Sequence, residues 1–240
     1  MSPAFSLIIP CFNEAANLER LFERVQALFT QYPDTEIVLV NNGSKDNTEA
    51  LLSEFKKNFT AHNLLICTIK KNRGYGFGIL SGMEMATAPV LAWTHADMQT
   101  DLLDAGKAFQ IYLNSPSHQY LLIKGFRVKR KLAETVLSFG MAIFASLILK
   151  KWLVEINAQP KMMSREFYEK AKNNAPHDFS LDLYFMYLAK QKGKIETLDV
   201  VFLPRTAGEA KGGSGSSFKT KWKIIKRTLA YIISLKKTIV

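Results

Sequence analysis

The stretch FSLIIPCFNE, residues 5–14, decides the fold class because it joins a short apolar run to a polar cluster. Residues 5–9 have the length and the continuous apolar character of a buried strand. Residues 10–14 are the polar cluster that follows. Apolar residues then recur at helical spacing: Leu18, Leu21, Phe22, Val25, Leu28 and Phe29. This order predicts a buried strand, a polar loop and an amphipathic helix.

The same order repeats along the next eighty residues. Apolar runs at residues 37–40, 64–69 and 89–93 predict further strands, and helices are predicted around residues 51–55 and 79–86. Buried strands that alternate with helices indicate an α/β fold, in which helices flank a mostly parallel sheet. The polar clusters at residues 10–14, 41–47, 70–78 and 94–99 would then share one rim, where such sheets bind ligands.

Composition sets the size and the setting of the protein. A chain of 240 residues that is 48% hydrophobic is long enough for one sizeable domain with a small appendage. The two cysteines, Cys11 and Cys67, lie in apolar runs and are predicted to be reduced thiols in the core. The N-terminal residues lack the features of a signal peptide, so we expect a cytoplasmic protein.

The net charge of +11 is concentrated at the C-terminal end. From residue 211 onward there are eight cations and no Asp or Glu. We therefore divide the chain into a domain over residues 1–207, a flexible Gly/Ser loop over residues 208–217 and a basic amphipathic tail over residues 218–240. The tail is suited either to an anionic membrane surface or to packing as a helix on its own domain. Nucleic acid is not an expected partner, because no recognised nucleic-acid module accompanies the charge.

A second apolar stretch covers residues 136–149, which are fourteen residues without a charge. A helix that spans a bilayer needs about 20 apolar residues. The stretch therefore predicts an interfacial or buried helix, and we expect no transmembrane segment.

Four motifs carry a resemblance to a known family. IIPCFNEAANL, VLVNNGSKDNT, NRGYGFGILSGMEMA and HADMQ occur in this order. Together they resemble the family 2 glycosyltransferases of the GT-A fold, in particular the branch of dolichol-phosphate and polyprenyl-phosphate sugar transferases. The resemblance is strong from residue 5 to residue 99 and thinner beyond.

The resemblance implies inverting transfer from a nucleotide-sugar donor, assisted by a divalent cation (Mn²⁺ or Mg²⁺) that bridges the donor diphosphate. It implies a lipid-phosphate or lipid-linked glycan acceptor, used by a peripheral protein at the cytoplasmic face of a membrane. An alternative is a catalytically weakened protein of the same fold that binds a nucleotide or acts as a scaffold.

The resemblance also assigns candidate nucleotide contacts, which are Pro10, Glu14, Asn41, Asn42, Gly43, Arg73 and Gly74. Glycines at positions 74, 76 and 78 would let the backbone approach a ligand closely, or they mark a tight turn with close helix packing. Asp46 matches an acidic residue of the family, but its spacing to Glu49 favours a helix-capping box.

HADMQ resembles the family pattern Asp-x-Asp-x-Gln, whose acidic pair and Gln surround the metal and the diphosphate. Asp97 and Gln99 are retained, whereas His95 replaces the first Asp. Imidazole ligates Mn²⁺ but is poorly suited to Mg²⁺, which prefers oxygen ligands. These three residues are the candidate metal ligands, although His95 also fits an ordinary hydrogen-bonded polar residue.

The later motifs supply cations and one carboxylate. Arg127, Arg205 and Lys211 resemble cations that face phosphates of the donor or acceptor, and Lys211 fits the basic tail equally well. Asp182 is a candidate base or acceptor-orienting group, or a carboxylate on a helix surface. The predicted catalytic set is Asp97, Gln99, Arg127 and Asp182.

Four departures from the family pattern share one direction. Asn41, Asn42, His95 and Asn157 stand where the family commonly has Asp. Because Asn offers an NH₂ donor that Asp lacks, base recognition is predicted to change, with a cytidine nucleotide as one hypothesis.

Overall fold

The computed structural model describes residues 2–59, 63–128, 143, 146–204, 222, 226, 229–233 and 235. The Gly/Ser loop, together with Arg205 and Lys211, lies outside the described residues, as does most of the basic tail and of the apolar stretch over residues 136–149. The division of the chain at residues 207 and 217 therefore stays a prediction, as does the helix in the tail.

Strands and helices alternate through the first half of the chain, as the sequence predicts. The strands are β1 (Phe5–Cys11), β2 (Thr35–Asn42), β3 (Leu64–Ile69), β4 (Val90–Trp93), β5 (Leu121–Val128), β6 (Lys161–Ser164) and β7 (Lys194–Val201). The helices are α1 (Leu18–Gln31), α2 (Thr48–Asn58), α3 (Tyr75–Met85), α4 (Leu103–Asn114), α5 (Arg165–Ala171) and α6 (Leu181–Lys192). No described helix has both the length and the apolar character needed to cross a membrane.

All these strands belong to one sheet in the order β3-β2-β1-β4-β6-β5-β7. Every neighbouring pair is parallel except those of β6, which runs antiparallel to both β4 and β5. The predicted mostly parallel sheet is therefore confirmed. Reversal of β6 places its first residue, Lys161, beside the last residue of β4, Trp93.

Helices cover both faces of the sheet. On one face Ile8, Val38 and Trp93 pack in a buried cluster with residues of α3 and α6. On the other face Leu7, Ile37 and their neighbours pack with α1, α2 and α4. Because both faces are covered, successive residues of a central strand are all buried, which explains the continuous apolar runs.

Two strands extend further than the apolar runs indicate. β1 continues through Pro10 to Cys11, and Pro10 is in register with Val40 of β2. β2 continues into Asn41 and Asn42. The first two polar clusters thus begin inside strands, and only their later residues form loops.

Candidate active site

Loops that follow β1 and β2 are joined at the rim formed by the carboxyl ends of the parallel strands. Ser44 Oγ accepts a hydrogen bond from the Asn13 backbone N–H at 3.1 Å, and Asn13 Oδ1 accepts one from the Lys45 backbone N–H at 2.7 Å. Asp46 Oδ2 accepts from the Ala15 backbone N–H at 3.1 Å. These hydrogen bonds fix the two loops relative to each other, so this part of the rim is held in a defined conformation.

Asp46 binds the first turn of helix α2. Its Oδ1 accepts from the Thr48 backbone N–H at 3.1 Å and from Thr48 Oγ1 at 2.6 Å. Burial raises the pKa of Asp46, but the hydrogen bonds from Thr48 and Ala15 outweigh it and hold that pKa below its usual range. The N-cap of α2 is Asn47, which makes no side-chain capping bond, and Glu49 accepts from Asn41 Nδ2 at 3.1 Å, so Asp46 binds the first turn of α2 without forming the predicted capping box.

Asn41 and Asn42 hold the rim together. Asn41 Oδ1 accepts from the Ser44 backbone N–H at 3.1 Å, and Asn42 Nδ2 donates to the Gly74 carbonyl at 3.1 Å. Both side chains are buried, and Asn42 Oδ1 has no hydrogen-bond partner in the structure. The amide donors of both residues are thus already used within the protein, and their contact with a nucleotide stays a prediction.

The glycines that follow β3 serve helix packing. A Cβ on Gly74, whose φ is 120°, would lie 2.2 Å from the His177 carbonyl oxygen. A Cβ on Gly76 would lie 2.4 Å from the Pro176 carbonyl oxygen. The Phe77 backbone N–H donates to the His177 carbonyl at 3.0 Å. At these two positions the chain's own loop fills the space that a Cβ would take, which agrees with the alternative of a tight turn with close packing, and contact of Gly74 with a nucleotide stays a prediction.

The remaining nucleotide candidates lie on the same rim. Glu14 Oε2 accepts from Asn17 Nδ2 at 2.6 Å. The Arg73 guanidinium carbon lies 4.0 Å from the centroid of the Phe77 ring, within cation–π range. Gly43 packs against the backbone of Lys71 and Asn72. The structure thus collects these candidates at one edge of the sheet without showing which of them contacts a ligand.

The HADMQ motif forms the loop after β4. Asp97 is almost fully buried, and its Oδ1 accepts from the Gln99 backbone N–H at 3.2 Å. The Gln99 side chain donates to the Leu203 carbonyl at 3.2 Å, and the Leu203 backbone N–H donates to the Gln99 carbonyl at 2.8 Å. Gln99 therefore ties the loop to the chain that follows β7, which reduces its availability as a metal ligand.

His95 is the second donor that this loop offers to a metal. Burial is the main cause that lowers the pKa of His95. The charges of Lys161 and Arg127 lower it further, whereas those of Asp97 and Asp182 raise it. The imidazole is therefore neutral near pH 7, which is the form that binds metals. Among the residues that the structure describes, no group of three or more His, Cys, Asp or Glu side chains is placed to hold a metal ion. The loop alone thus supplies two donors, one carboxylate and one imidazole.

Asp182 lies at the centre of a buried polar network at the start of α6. Its Oδ1 accepts from Trp93 Nε1 at 3.0 Å and pairs with Lys161 Nζ at 2.9 Å. Gln159 Nε2 donates to Asp182 Oδ1 at 3.3 Å and to the Tyr75 hydroxyl at 3.1 Å. With 2% of its surface exposed, Asp182 is not a helix-surface carboxylate, so that interpretation is wrong. The geometry is that of an anchored carboxylate rather than a free base.

Two buried lysines neighbour this network and were missed by the sequence analysis. Lys124 of β5 is in register with Lys161 of β6. Lys124 Nζ donates to the Val154 carbonyl at 3.0 Å, and Lys161 Nζ donates to the Ala158 carbonyl at 3.0 Å. The pKa of Lys124 is lowered to about 7, chiefly by burial and next by the charge of Lys161. The available signal was a lysine inside the apolar run LLIKGF, residues 121–126.

Arg127 is three residues beyond Lys124 on β5. Its Nε donates to Glu155 Oε2 at 2.5 Å, and the two side chains are 10% and 13% exposed. The guanidinium carbon also lies 5.2 Å from the centroid of the Phe202 ring. The charges of Arg127, Lys161, Asp97 and Asp182 all act on the pKa of His95, which indicates that these residues of both halves of the chain lie near one another.

Sequence comparison relates the first half of the chain to a known family. The profile described as "Glycosyl transferase family 2" matches residues 6–109. A poly-beta-1,6-N-acetyl-D-glucosamine synthase from Staphylococcus epidermidis is 31% identical over 96 residues, which are 40% of this chain and 22% of the synthase. A dolichyl-phosphate beta-glucosyltransferase from Dictyostelium discoideum is 21% identical over 202 residues, which are 78% of this chain and 62% of that protein. The chain thus spans less than two thirds of the length of each of these curated relatives.

Solved structures share the fold over nearly the whole chain. Glucosyl-3-phosphoglycerate synthase from Mycobacterium tuberculosis, solved with Mn²⁺, UDP-glucose and phosphoglyceric acid, has a TM-score of 0.73 at 13% identity and covers 98% of this chain and 80% of its own. A mannosyltransferase from Pyrobaculum calidifontis, solved with GDP-Man and Mn²⁺, has a TM-score of 0.63 at 15% identity. The match covers 99% of this chain and 74% of the mannosyltransferase chain. Residues 6–109 therefore match the family 2 glycosyltransferases, and the chain has a GT-A fold and resembles the polyprenyl-phosphate sugar transferases of that family.

Proposed function

We propose that the protein is an inverting glycosyltransferase that moves a sugar from a nucleotide-sugar donor to a lipid phosphate or a lipid-linked glycan at the cytoplasmic face of a membrane. One observation carries the proposal. The HADMQ loop reaches the buried network around Asp182, because the centroid of the His95 ring lies 5.5 Å from that of Tyr75, whose hydroxyl accepts from Gln159 Nε2 at 3.1 Å. The candidate metal donors and the candidate acceptor-orienting carboxylate thus lie at one site. Relatives named for nucleotide-sugar and dolichyl-phosphate chemistry support the same assignment.

His95 and Asp97 are the residues that would hold the divalent cation, with Gln99 beside them. When bound, the cation would offset negative charge on the departing nucleoside diphosphate. A neutral imidazole with a single carboxylate suits Mn²⁺ better than Mg²⁺. Two protein donors leave most coordination positions to the donor diphosphate and water, so we propose that cation and nucleotide bind together.

We propose that the nucleotide lies along the rim of β1 to β4. The candidate contacts are Pro10, Glu14, Asn41, Asn42, Gly43, Arg73 and Gly74. Asn42 Oδ1 is a buried acceptor to which no described residue donates, so a base could donate to it. It can accept from the amino group of cytosine or guanine and from the ring N–H of guanine or uracil, so it is compatible with all three bases.

The anchored state of Asp182 favours a phosphate acceptor. A phosphate is already ionised near neutral pH and therefore needs little help from a general base. A sugar hydroxyl would require Asp182 to accept a proton, yet Asp182 is held by Lys161 and Trp93. We therefore propose that Arg127, with Arg205 and Lys211, binds phosphates of donor or acceptor, and that Asp182 orients the site.

Exposed apolar side chains beside the site support a peripheral membrane location. Leu147 and Trp152 are 72% and 62% exposed, and Lys150 lies exposed between them. Trp at the edge of an apolar patch next to Lys is typical of segments that lie in the interface of an anionic membrane. The segment ends at Glu155, the partner of Arg127, so a lipid headgroup on this surface would lie close to the site.

A weakened nucleotide-binding or scaffolding protein is the second candidate. The observation that favours it is the small donor set: Gln99 is tied to Leu203, and no described group of three His, Cys, Asp or Glu side chains is placed to hold a metal ion. Retention of Arg127 beside these residues favours the enzyme, because a scaffold would have no use for a buried cation that faces phosphates.

Calorimetric titration with UDP, GDP and CDP, each with Mn²⁺, with Mg²⁺ and with chelator, tests the proposal. We expect one nucleotide to bind in a metal-dependent way, more tightly with Mn²⁺ than with Mg²⁺. The matching nucleotide-sugar should then support transfer to a short-chain prenyl phosphate. Failure of all three nucleotides to bind would reject the enzyme and leave the scaffold.

A further inference from the structure

Tyr75, the first residue of α3, contacts both the HADMQ loop and the network around Asp182. Its ring centroid lies 5.5 Å from that of His95, with 31° between the ring planes, and 5.0 Å from that of Phe179, with 10° between the planes. Centroid separations of roughly 4.5–7 Å are those of favourable aromatic pairs. The Tyr75 hydroxyl accepts from Gln159 Nε2 at 3.1 Å. One side chain therefore joins the candidate metal loop to the candidate acceptor-orienting carboxylate.

The start of α3 is held by β2 and by the loop before α6, so the backbone of Tyr75 has a fixed position. Asn42 Nδ2 donates to the Gly74 carbonyl at 3.1 Å, and the Phe77 backbone N–H donates to the His177 carbonyl at 3.0 Å. A Cβ on Gly74 would lie 2.2 Å from the same His177 oxygen. The close packing at this glycine thus has a consequence for the site, because it brings the Tyr75 ring into it.

The hydroxyl end of Tyr75 reaches a buried part of the site. Gln159, which donates to the hydroxyl, is 1% exposed, and Asp182, whose Oδ2 lies 3.5 Å from it, is 2% exposed. Gln159 Nε2 also donates to Asp182 Oδ1 at 3.3 Å, and Lys161 pairs with that carboxylate at 2.9 Å. Because these partners are themselves anchored, the Tyr75 ring is fixed at both of its ends.

An imidazole and a carboxylate differ in what they need in order to bind a metal. A carboxylate offers two oxygens with several lone pairs, whereas a neutral imidazole offers one lone pair in the plane of its ring. The ring plane must therefore be set by neighbouring groups, as it is for metal-binding histidines in general. Among the described residues no hydrogen bond to the His95 ring is seen, and the ring contact is with Tyr75. Such a contact can fix the ring plane without occupying the lone pair.

We propose that Tyr75 is a positioning residue for the metal site, whose ring holds the imidazole of His95 in the orientation in which a ring nitrogen binds the cation. This role rests on the proposed function, under which His95 and Asp97 hold that cation. It also separates the two interpretations of His95, because an imidazole held by ring contact keeps a nitrogen available, whereas an ordinary polar residue would use it in a hydrogen bond. Loss of the Tyr75 ring should therefore weaken metal binding through nitrogen and leave binding through carboxylate oxygens unchanged.

The test uses variants of Tyr75 and His95 in the full chain. Tyr75→Leu removes the ring, whereas Tyr75→Phe keeps it and removes only the hydroxyl. His95→Asp replaces the imidazole by a carboxylate, which needs no fixed ring plane, and is also combined with Tyr75→Leu. The control is Tyr112→Leu, because Tyr112 stacks on His118 near the C-terminal end of α4, with 4.2 Å between the ring centroids. Circular dichroism establishes that each variant is folded, and Tyr75→Met takes the place of Tyr75→Leu if the latter does not fold.

Mn²⁺ is titrated into each protein, alone and with UDP, GDP or CDP, and bound Mn²⁺ is measured by electron paramagnetic resonance. Tyr75→Leu is expected to raise the dissociation constant of Mn²⁺ about tenfold, near the upper end of what one aromatic pair contributes. Tyr75→Phe should raise it by less than about threefold, because the ring and its contact with His95 remain. Tyr112→Leu should not change it. With His95→Asp already present, Tyr75→Leu should have no further effect.

Pulsed electron paramagnetic resonance reports the metal ligand itself. Nitrogen coupled to bound Mn²⁺ indicates coordination by imidazole, and His95→Asp is the reference that lacks this ligand. We expect the nitrogen signal in the wild type and in Tyr75→Phe, and a weaker one in Tyr75→Leu. Equal loss of Mn²⁺ affinity on Tyr75→Leu with and without His95→Asp would overturn the positioning role, since the ring would then support the loop as a whole. Absence of the nitrogen signal from the wild type, or a Tyr75→Leu variant that matches the wild type, would overturn it as well.

The two proposals fail in different ways. Normal sugar transfer and Mn²⁺ binding by the wild type, with Mn²⁺ binding unchanged in Tyr75→Leu, would remove the positioning role and leave the enzyme. Mn²⁺ binding that follows the expected pattern without any sugar transfer would remove the enzyme and leave a positioned metal site. Failure of the wild type to bind Mn²⁺ under all of these conditions would overturn the positioning role together with the cation site.

Discussion

Lys161 and Asp182 form an ion pair of 2.9 Å in which the two side chains are only 0% and 2% exposed. The pair joins the first residue of β6 to the first turn of α6, and the same carboxylate accepts a hydrogen bond from Trp93 at the end of β4. One carboxylate thus fixes two strands and a helix where the candidate site is built. A buried pair contributes little net stability, yet removing one partner leaves an uncompensated charge.

We therefore expect Lys161→Met and Asp182→Asn each to lower the free energy of unfolding by roughly 3–5 kcal/mol. The double variant should lose clearly less unfolding free energy than the two single variants lose together, because it leaves no unpaired charge. Urea unfolding of all four proteins measures the coupling. Lys170 and Glu166 are the control pair, 45% and 72% exposed, for which the coupling should stay below about 1 kcal/mol. Equal coupling in both cycles would contradict the role of Asp182 as a buried anchor.

A second expectation concerns the dependence of stability on pH. The pKa of Lys124 is about 7 in the folded protein, against 10.5 when unperturbed, because burial and Lys161 disfavour its charged form. Between these values the unfolded chain binds a proton that the folded protein lacks, so this residue makes stability rise with pH. The rise is at most about 1.4 kcal/mol per pH unit.

Lys124→Met removes this contribution. Urea unfolding of wild type and variant at pH 7, 8 and 9 should show the wild type gaining stability relative to the variant at each step. The difference between the two proteins cancels the titration of tyrosines and cysteines elsewhere. A constant difference across the three pH values would show that Lys124 stays charged in the folded protein.

Periodicity predicted the elements of the first half of the chain because helices on both faces of the sheet demand continuous apolar strands. It did not predict where β1 and β2 end, since Pro10 and Asn41 are polar-cluster residues that nonetheless pair in the sheet. The motifs located Asp97 and Arg127 because each lies in a short contiguous pattern. Lys124 and Glu155 were missed because their neighbours Lys161 and Arg127 are distant from them in sequence.

The proposed role of Asp97 in holding the cation can be tested without unfolding the protein. Asp97→Asn keeps the size of a side chain whose Oδ1 accepts from the Gln99 backbone, so the variant should remain folded. If Asp97 holds the cation, metal-dependent nucleotide binding and sugar transfer should each fall by a factor of about 100 or more, equivalent to roughly 2.7 kcal/mol. Asp34→Asn, at an exposed position before β2, is the control. Unchanged transfer by Asp97→Asn would remove the metal assignment.

The exposed segment beside Arg127 gives a test of membrane association that is independent of catalysis. Leu147 and Trp152 present apolar surface on either side of Lys150, and each apolar side chain withdrawn into a bilayer interface contributes to binding in proportion to its area. The double variant Leu147→Ser and Trp152→Ser should therefore sediment less with vesicles that contain anionic lipid, by about tenfold or more in partition coefficient.

Leu113→Ser is the matched control, because Leu113 is 53% exposed at the end of α4, away from this segment. Removal of residues 217–240 tests the basic tail in the same assay, and its effect should diminish as salt is raised, whereas the effect of the apolar pair should persist. Vesicle binding that survives the double substitution and disappears on removal of the tail would assign the membrane contact to the tail alone. Binding that survives both changes would place the membrane contact on another surface, and absence of binding by the wild type would argue against a peripheral location.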